Sequence, residues 1–257
     1  MPTYRLVVEY DGSAFHGLQY QPELRTVAGA LEDALSRIFH APVKIAAAGR
    51  TDAGVHATGQ VISFAAERAF PIERLALAIN GNLPADVVVC DAALVRDGFS
   101  ARFDARERTY AYLVQNRGFS SALWRPRAWF VPRAIDDERF RAAARPLLGA
   151  HDFASYCAEP PAFGGTLRDL YAIELVRRGD LLRVSLRGDG FLHRMVRLIV
   201  GTLVECATGY REIDFARHAL EARRRGAAGA AAPAHGLYLA GVRYDDFDSY
   251  RAVDIAP

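Results

Sequence analysis

Lysine is almost missing from this chain: Lys44 is the only one among 32 basic residues, and all the others are arginine. Cysteine is scarce and scattered. Cys90, Cys157 and Cys206 form no CxxC pair, so neither a disulfide framework nor a zinc site is indicated. No apolar run approaches the roughly 18–20 residues that span a bilayer. The first residues, Met1-Pro2-Thr3-Tyr4-Arg5, pass straight into an alternating pattern without the layout of a signal peptide. The expectation is a cytoplasmic protein with no membrane partner. No P-loop, GxSxG or HExxH occurs, so nucleotide hydrolysis and metal-dependent hydrolysis have no positive support, and no metal site is expected. Charge of one sign is also lacking. A net charge of +2 does not by itself announce a nucleic-acid binder. The preference for arginine has two readings. Guanidinium forks suit phosphates and stack on bases, while an Arg- and Ala-rich compositional bias explains the count but not where the arginines cluster.

What is present is a globular composition, 51% hydrophobic and 24% charged over 257 residues, the size of one large domain or two half-domains sharing a core. Tyr4, Leu6, Val8 and Tyr10 alternate as in a strand. Thr26 is placed to cap a helix with Val27, Ala30, Leu31, Ala34, Leu35, Ile38 and Phe39 on one face. Strands are expected at 43–48 and 60–66, a helix from Pro71 to Asn80-Gly81, and a buried strand at 87–95. This β-α-β-β-α-β order is that of a ferredoxin-like unit. After a connecting segment, a helix capped by Asp136, strands at 167–177 and 181–187, a helix opened by Gly188-Asp189-Gly190, a helix at 213–222 and a last strand at 237–244 give a similar order. The expected fold class is α+β: two ferredoxin-like halves, 1–116 and 117–257, whose antiparallel sheets form one extended sheet with a central cleft.

Gly49-Arg50-Thr51-Asp52-Ala53-Gly54-Val55-His56-Ala57 packs a guanidinium, a hydroxyl, a carboxylate and an imidazole into a connection between two apolar runs. It is longer than a tight hairpin needs, and long ordered loops often carry function. Asp52 is the best candidate for a reactive group, and also a residue type that shapes turns. His56 has no partner in sequence for a role as base. Between Arg102 and Tyr112, three arginines and two tyrosines interleave. Tyr110 and Tyr112 share a strand face, as on a single-stranded nucleic-acid surface, or as a core-facing pair whose arginines pair with Asp104 and Glu107. Phe15 to Gln21 reads as a packed Ω-like loop or as a substrate contact. Trp124 and Trp129 with nearby arginines are buried anchors, or a surface for RNA or a second subunit. Residues 151–165 are expected as a long loop, 223–235 as a mobile, low-complexity surface loop, and the acidic tail has no clear role.

These motifs together resemble the TruA family of tRNA pseudouridine synthases. The resemblance runs through YDGSAFHGLQYQ, with Leu18 where an aromatic is expected, GRTDAGVHA at 49–57, RTYAY at 108–112, HDFASYC at 151–157, GDGFLHRMVRLIVGTL at 188–203 and PAHGLYLAGVRY at 233–244. It implies isomerisation of uridine to pseudouridine in the anticodon stem-loop of tRNA, at positions 38–40, by a homodimer without a cofactor. It also implies roles: Asp52 as nucleophile, Arg197 as its basic partner, Tyr110 stacked on a flipped base, Arg50 on the backbone or in the space the base vacates, and Leu237 or Leu239 as an apolar wall. A non-catalytic RNA-binding module predicts instead that Asp52→Ala is silent. A synthase for another RNA is the third reading, which the motifs between the halves fit less well.

Overall fold

The computed structural model describes residues 1–161 and 164–253. The chain divides into two compact units. The first comprises Met1–Arg106 and Tyr238–Val253, and the second runs from Glu107 to Leu237. The division therefore falls ten residues before the one expected at 116/117, and the last strand returns to the first unit. Both units are mixed α and β, with mainly antiparallel strand pairs.

In the first unit the order is β1 (Thr3–Tyr10), α1 (Val27–Phe39), β2 (Ala46–Ala47), β3 (His56–Ala65), α2 (Ile72–Asn80) and β4 (Val87–Val95). β1 lies between β3 and β4, and β2 lies against β3, each pair antiparallel, the strand arrangement of a ferredoxin-like unit. Thr26 caps α1 as expected, its side chain accepting from Gly29 N–H. Phe39, at the end of α1, docks on Tyr4 and Phe64, which stack at 5.1 Å. β2 is shorter than the expected 43–48, while β3 begins at His56, four residues before the apolar run suggests. The loop is therefore closed by strand residues on its C-terminal side. The end of the chain adds β10 (Leu237–Arg243), whose Tyr238 and Leu239 run parallel to His56 and Ala57. The acidic tail folds back on this unit: Arg106 holds Asp245 in a bidentate pair, and Arg5 lies 3.3 Å from the Phe247 ring centre. Asp254, its last acidic residue, lies outside the described residues.

The second unit contains β5 (Glu107–Asn116), β6 (Trp129–Val131), α3 (Asp137–Ala144), β7 (Gly149–Asp152), β8 (Leu167–Arg178), β9 (Leu181–Gly188), α4 (Met195–Ala207) and α5 (Phe215–Ala222). Its sheet order is β5-β9-β8-β7, with β6 parallel to β5. Asp136 caps α3 through two backbone N–H groups. β7 occupies residues expected to begin a long loop; Ala162 and Phe163 of that stretch lie outside the described residues. α4 starts at Met195, later than the glycines suggest. Arg194 has a φ of 57°, and a left-handed residue cannot continue a right-handed helix. Among the described residues, no helix is long and apolar enough to cross a membrane.

Candidate active site

In the first unit the loop before β3 is held from beneath. Burial alternates along it: Arg50 is exposed, Thr51 buried and Asp52 half-buried. The Thr51 hydroxyl shares a 2.8 Å hydrogen bond with the Tyr10 phenol. Burial pushes that phenol up to about 12, against the lowering influence of its bonds to Thr51 and Gln60, so it stays protonated at neutral pH. Gln60, fully buried in β3, spans Gly49: its Nε2 donates to Gly49 O at 2.8 Å and its Oε1 accepts from Gly49 N–H at 3.4 Å. Thr51 O also accepts the Leu18 amide at 3.0 Å. After Asp52, Val55 N–H bonds Asp52 O at 3.1 Å across Ala53-Gly54, with Gly54 at φ 78°. Such a turn requires a positive φ at its third position. The residues on both sides of Asp52 are thus tied down by main-chain and buried polar contacts, a rigid support for a reactive carboxylate.

His56 belongs to the floor of this loop. It is buried and stacks on Tyr238 with centroids 4.7 Å apart. Its Nδ1 accepts the Gly12 amide at 3.1 Å when the ring is neutral; protonated there, it donates to Asp11 Oδ1 at 3.2 Å. Within FHGLQYQ, Phe15 and Leu18 are buried, with the Arg25 guanidinium 4.0 Å from the Phe15 ring centre, while His16, Gln19, Tyr20 and Gln21 are exposed. Leu18 fills its place as an aliphatic residue.

Removing the Gln60 amide tests this support. Gln60→Leu leaves the half-buried Gly49 carbonyl and amide without their Gln60 partner. It is expected to lower unfolding free energy by about 2 kcal/mol, at roughly 1–3 kcal/mol per unmet buried group, read by urea denaturation. An unchanged midpoint would show that the clamp contributes nothing.

In the second unit Tyr110 lies on β5, buried, its ring edge-on to Phe191 at 5.1 Å and 81°. Tyr112 shares its face, is fully buried, and donates its phenol to Pro233 O at 2.7 Å. Burial raises the Tyr112 pKa despite the nearby Arg197. Glu107 pairs with Arg187 and Arg108 donates to Asp189 O, while in the first unit Asp104 pairs with Arg96. Charged groups found partners across strands and turns, which adjacency in sequence does not report. Trp129 meets Tyr112 edge-on at 6.2 Å and is half-buried. Arg197 sits in the first turn of α4, where its Nε donates to Ala232 O at 2.8 Å. Leu237 is buried at the start of β10. Cys157 and Cys206 are buried free thiols whose pKa values burial raises.

Four residues of these sites went unnamed as candidates in sequence. Tyr10 and Gln60 show themselves only as polar groups within apolar strands, Phe191 as an aromatic just after a glycine pair, and Ala232 not at all.

The chain matches a family profile described as tRNA pseudouridine synthase over residues 6–104 and 143–245. It is 44% identical over 242 residues to tRNA pseudouridine synthase A of Methylacidiphilum infernorum, covering 94% of this chain and 95% of that protein. The protein of that name from Caulobacter sp. strain K31 is 42% identical, with coverage of 95% and 99%. The one from Bacillus subtilis is 39% identical, with coverage of 94% and 99%. With a profile matching both stretches and relatives aligned along nearly the whole chain, this protein belongs to the tRNA pseudouridine synthase family.

Proposed function

We propose that this enzyme isomerises uridine to pseudouridine in the anticodon stem-loop of tRNA, at positions 38, 39 and 40, with Asp52 as the nucleophile. Family membership supports the reaction class. The observation that carries the assignment of Asp52 is the bracing of its neighbours: Thr51 and Gly49 are spent on Tyr10 and Gln60, and the turn at 52–55 is closed by main chain. This bracing fixes the main chain that carries Asp52, which is half-buried, beside the exposed Arg50.

The chemistry balances within the substrate. The N1–C1′ bond breaks, a C5–C1′ bond forms, and a proton moves from C5 to N1, with no net redox change and no nucleotide consumed. A cofactor is therefore not required. The carboxylate attacks C1′ or C6, or assists formation of a glycal; in each case it must be ionised. A neighbouring cation favours that form, the role given to Arg197. Tyr110 stacks on the base once it leaves the helix, Leu237 walls the pocket, and Arg50 holds the backbone or the vacated space. Flipping costs a few kcal/mol, which arginine contacts to phosphate offset. The enzyme works in the cytoplasm as a homodimer with one tRNA spanning both subunits.

Incubation with unmodified tRNA transcripts, followed by mapping of pseudouridine at single-base level, tests the reading. Product at positions 38–40 is expected. Product confined to other positions would overturn the anticodon assignment, and no product in any transcript would overturn the activity.

A further inference from the structure

The arginine-led, alanine-rich segment 223–235 reads in sequence as a mobile loop. In the structure, residues 229–233 are a strap fastened along one face of α4. Arg197, Gly201 and Glu205 stand at i, i+4 and i+8, which places them in a row on that face. The strap runs antiparallel to the row. Ala230 N–H bonds Glu205 Oε1 at 3.0 Å, and Gly229 N–H bonds Thr202 Oγ1 at 2.9 Å. Ala232 is tied twice to Arg197: its N–H donates to Arg197 O at 2.9 Å, and its carbonyl accepts from Arg197 Nε at 2.8 Å. Pro233 O then takes the Tyr112 phenol. A Cβ on Gly201 would stand 1.8 Å from Ala230 O, so the strap's main chain lies directly on the helix at that point. Its small side chains are what such an approach demands, rather than a mark of disorder.

We infer that this strap is the positioning device for Arg197, and that Ala232, Thr202 and Gly201 are positioning residues for catalysis. The inference rests on the reading of Arg197 as the cation serving Asp52. A guanidinium can meet a carboxylate side-on, through Nε and one Nη, or end-on, through both Nη nitrogens. With Nε committed to the Ala232 carbonyl, the side-on edge is taken and a carboxylate is met end-on. The strap therefore selects which edge of Arg197 faces the reacting group. A flexible arginine would have to be ordered in each turnover, and small misplacements of a catalytic group are costly.

The test compares four variants in single-turnover and steady-state assays on tRNA. Gly201→Ala drives a methyl group against Ala230 O and is expected to lower kcat, but it can also disturb α4. Thr202→Val is the milder probe, since it keeps the side chain's shape and removes the hydroxyl that accepts from Gly229 N–H and donates to Leu198 O at 2.7 Å. It is expected to lower kcat about 10-fold with KM for tRNA unchanged, a loss of placement rather than of binding. Thr202→Ser keeps the hydroxyl and is expected to restore kcat to within about twofold of wild type. A Thr202→Val enzyme with wild-type kcat, or one that Ser fails to rescue, would overturn the strap's role. Arg197→Met separates this from the underlying reading. If it is inactive while Thr202→Val is fully active, Arg197 keeps its role and the strap loses its own. If Arg197→Met is as active as wild type, both readings fall.

Discussion

Asp52→Asn is expected to bind tRNA within about twofold of wild type and to form pseudouridine at least about 10⁴-fold more slowly, the scale of loss when a nucleophile is removed. Asparagine has the same shape but cannot ionise, and it offers no leaving carboxylate in a covalent route. The fold should not notice the change. The loop is held by the Thr51 hydroxyl, the Gly49 main chain and the Asp52 carbonyl, none of which is altered. Release of the C5 proton from uridine-labelled tRNA gives the rate, and filter binding gives the affinity. Activity within tenfold of wild type would remove Asp52 as the nucleophile. Loss of binding in parallel with activity would instead make it a contact residue.

The second large effect is expected at Tyr110. Its ring is buried and edge-on to Phe191, so it presents a fixed aromatic surface. Tyr110→Phe keeps the ring and removes the hydroxyl. If the phenol helps to move the proton from C5, the variant should bind tRNA normally and lose about 10²–10⁴-fold in kcat, the usual contribution of a positioned acid or base. Tyr110→Ala should in addition weaken binding by about 1–3 kcal/mol, the worth of one base–aromatic stack. Paired measurements of kcat and KM separate the two contributions. A Phe variant with wild-type kcat would leave Tyr110 a stacking residue alone, and an Ala variant with unchanged affinity would overturn the stacking itself.

The two candidate regions differ in how far the sequence reveals them. The helix α1 is legible from Thr26 to Phe39 because capping and apolar spacing are local properties, and the structure reproduces both. The nine residues around Asp52 are legible as a loop for the same reason: a polar, glycine-bearing stretch between apolar runs. The support beneath them is not. Tyr10 lies 41 positions from Thr51, and Gln60 lies 11 from Gly49. Each is simply a polar group in a strand until the sheet brings it under the loop. The start of α4 is misjudged for a related reason. Gly188 and Gly190 mark where regular structure breaks, but the left-handed Arg194 decides where the helix begins.

Residues 229–233 make the sharpest contrast. A segment without large apolar side chains looks unable to repay its ordering entropy, and composition therefore points to mobility. What holds it is main-chain hydrogen bonding to Arg197, Thr202 and Glu205, from a helix more than twenty residues earlier. By itself the sequence determined the kinds of local element, the ferredoxin-like order of the first unit and the loop that carries Asp52 as a candidate, because these depend on spacing between near neighbours. Only the tertiary structure decided which buried amide clamps Gly49, which phenol holds Thr51 and which carbonyl occupies Arg197 Nε. Those are pairings of single polar groups across long stretches of chain, and neither periodicity nor composition encodes which donor will meet which acceptor.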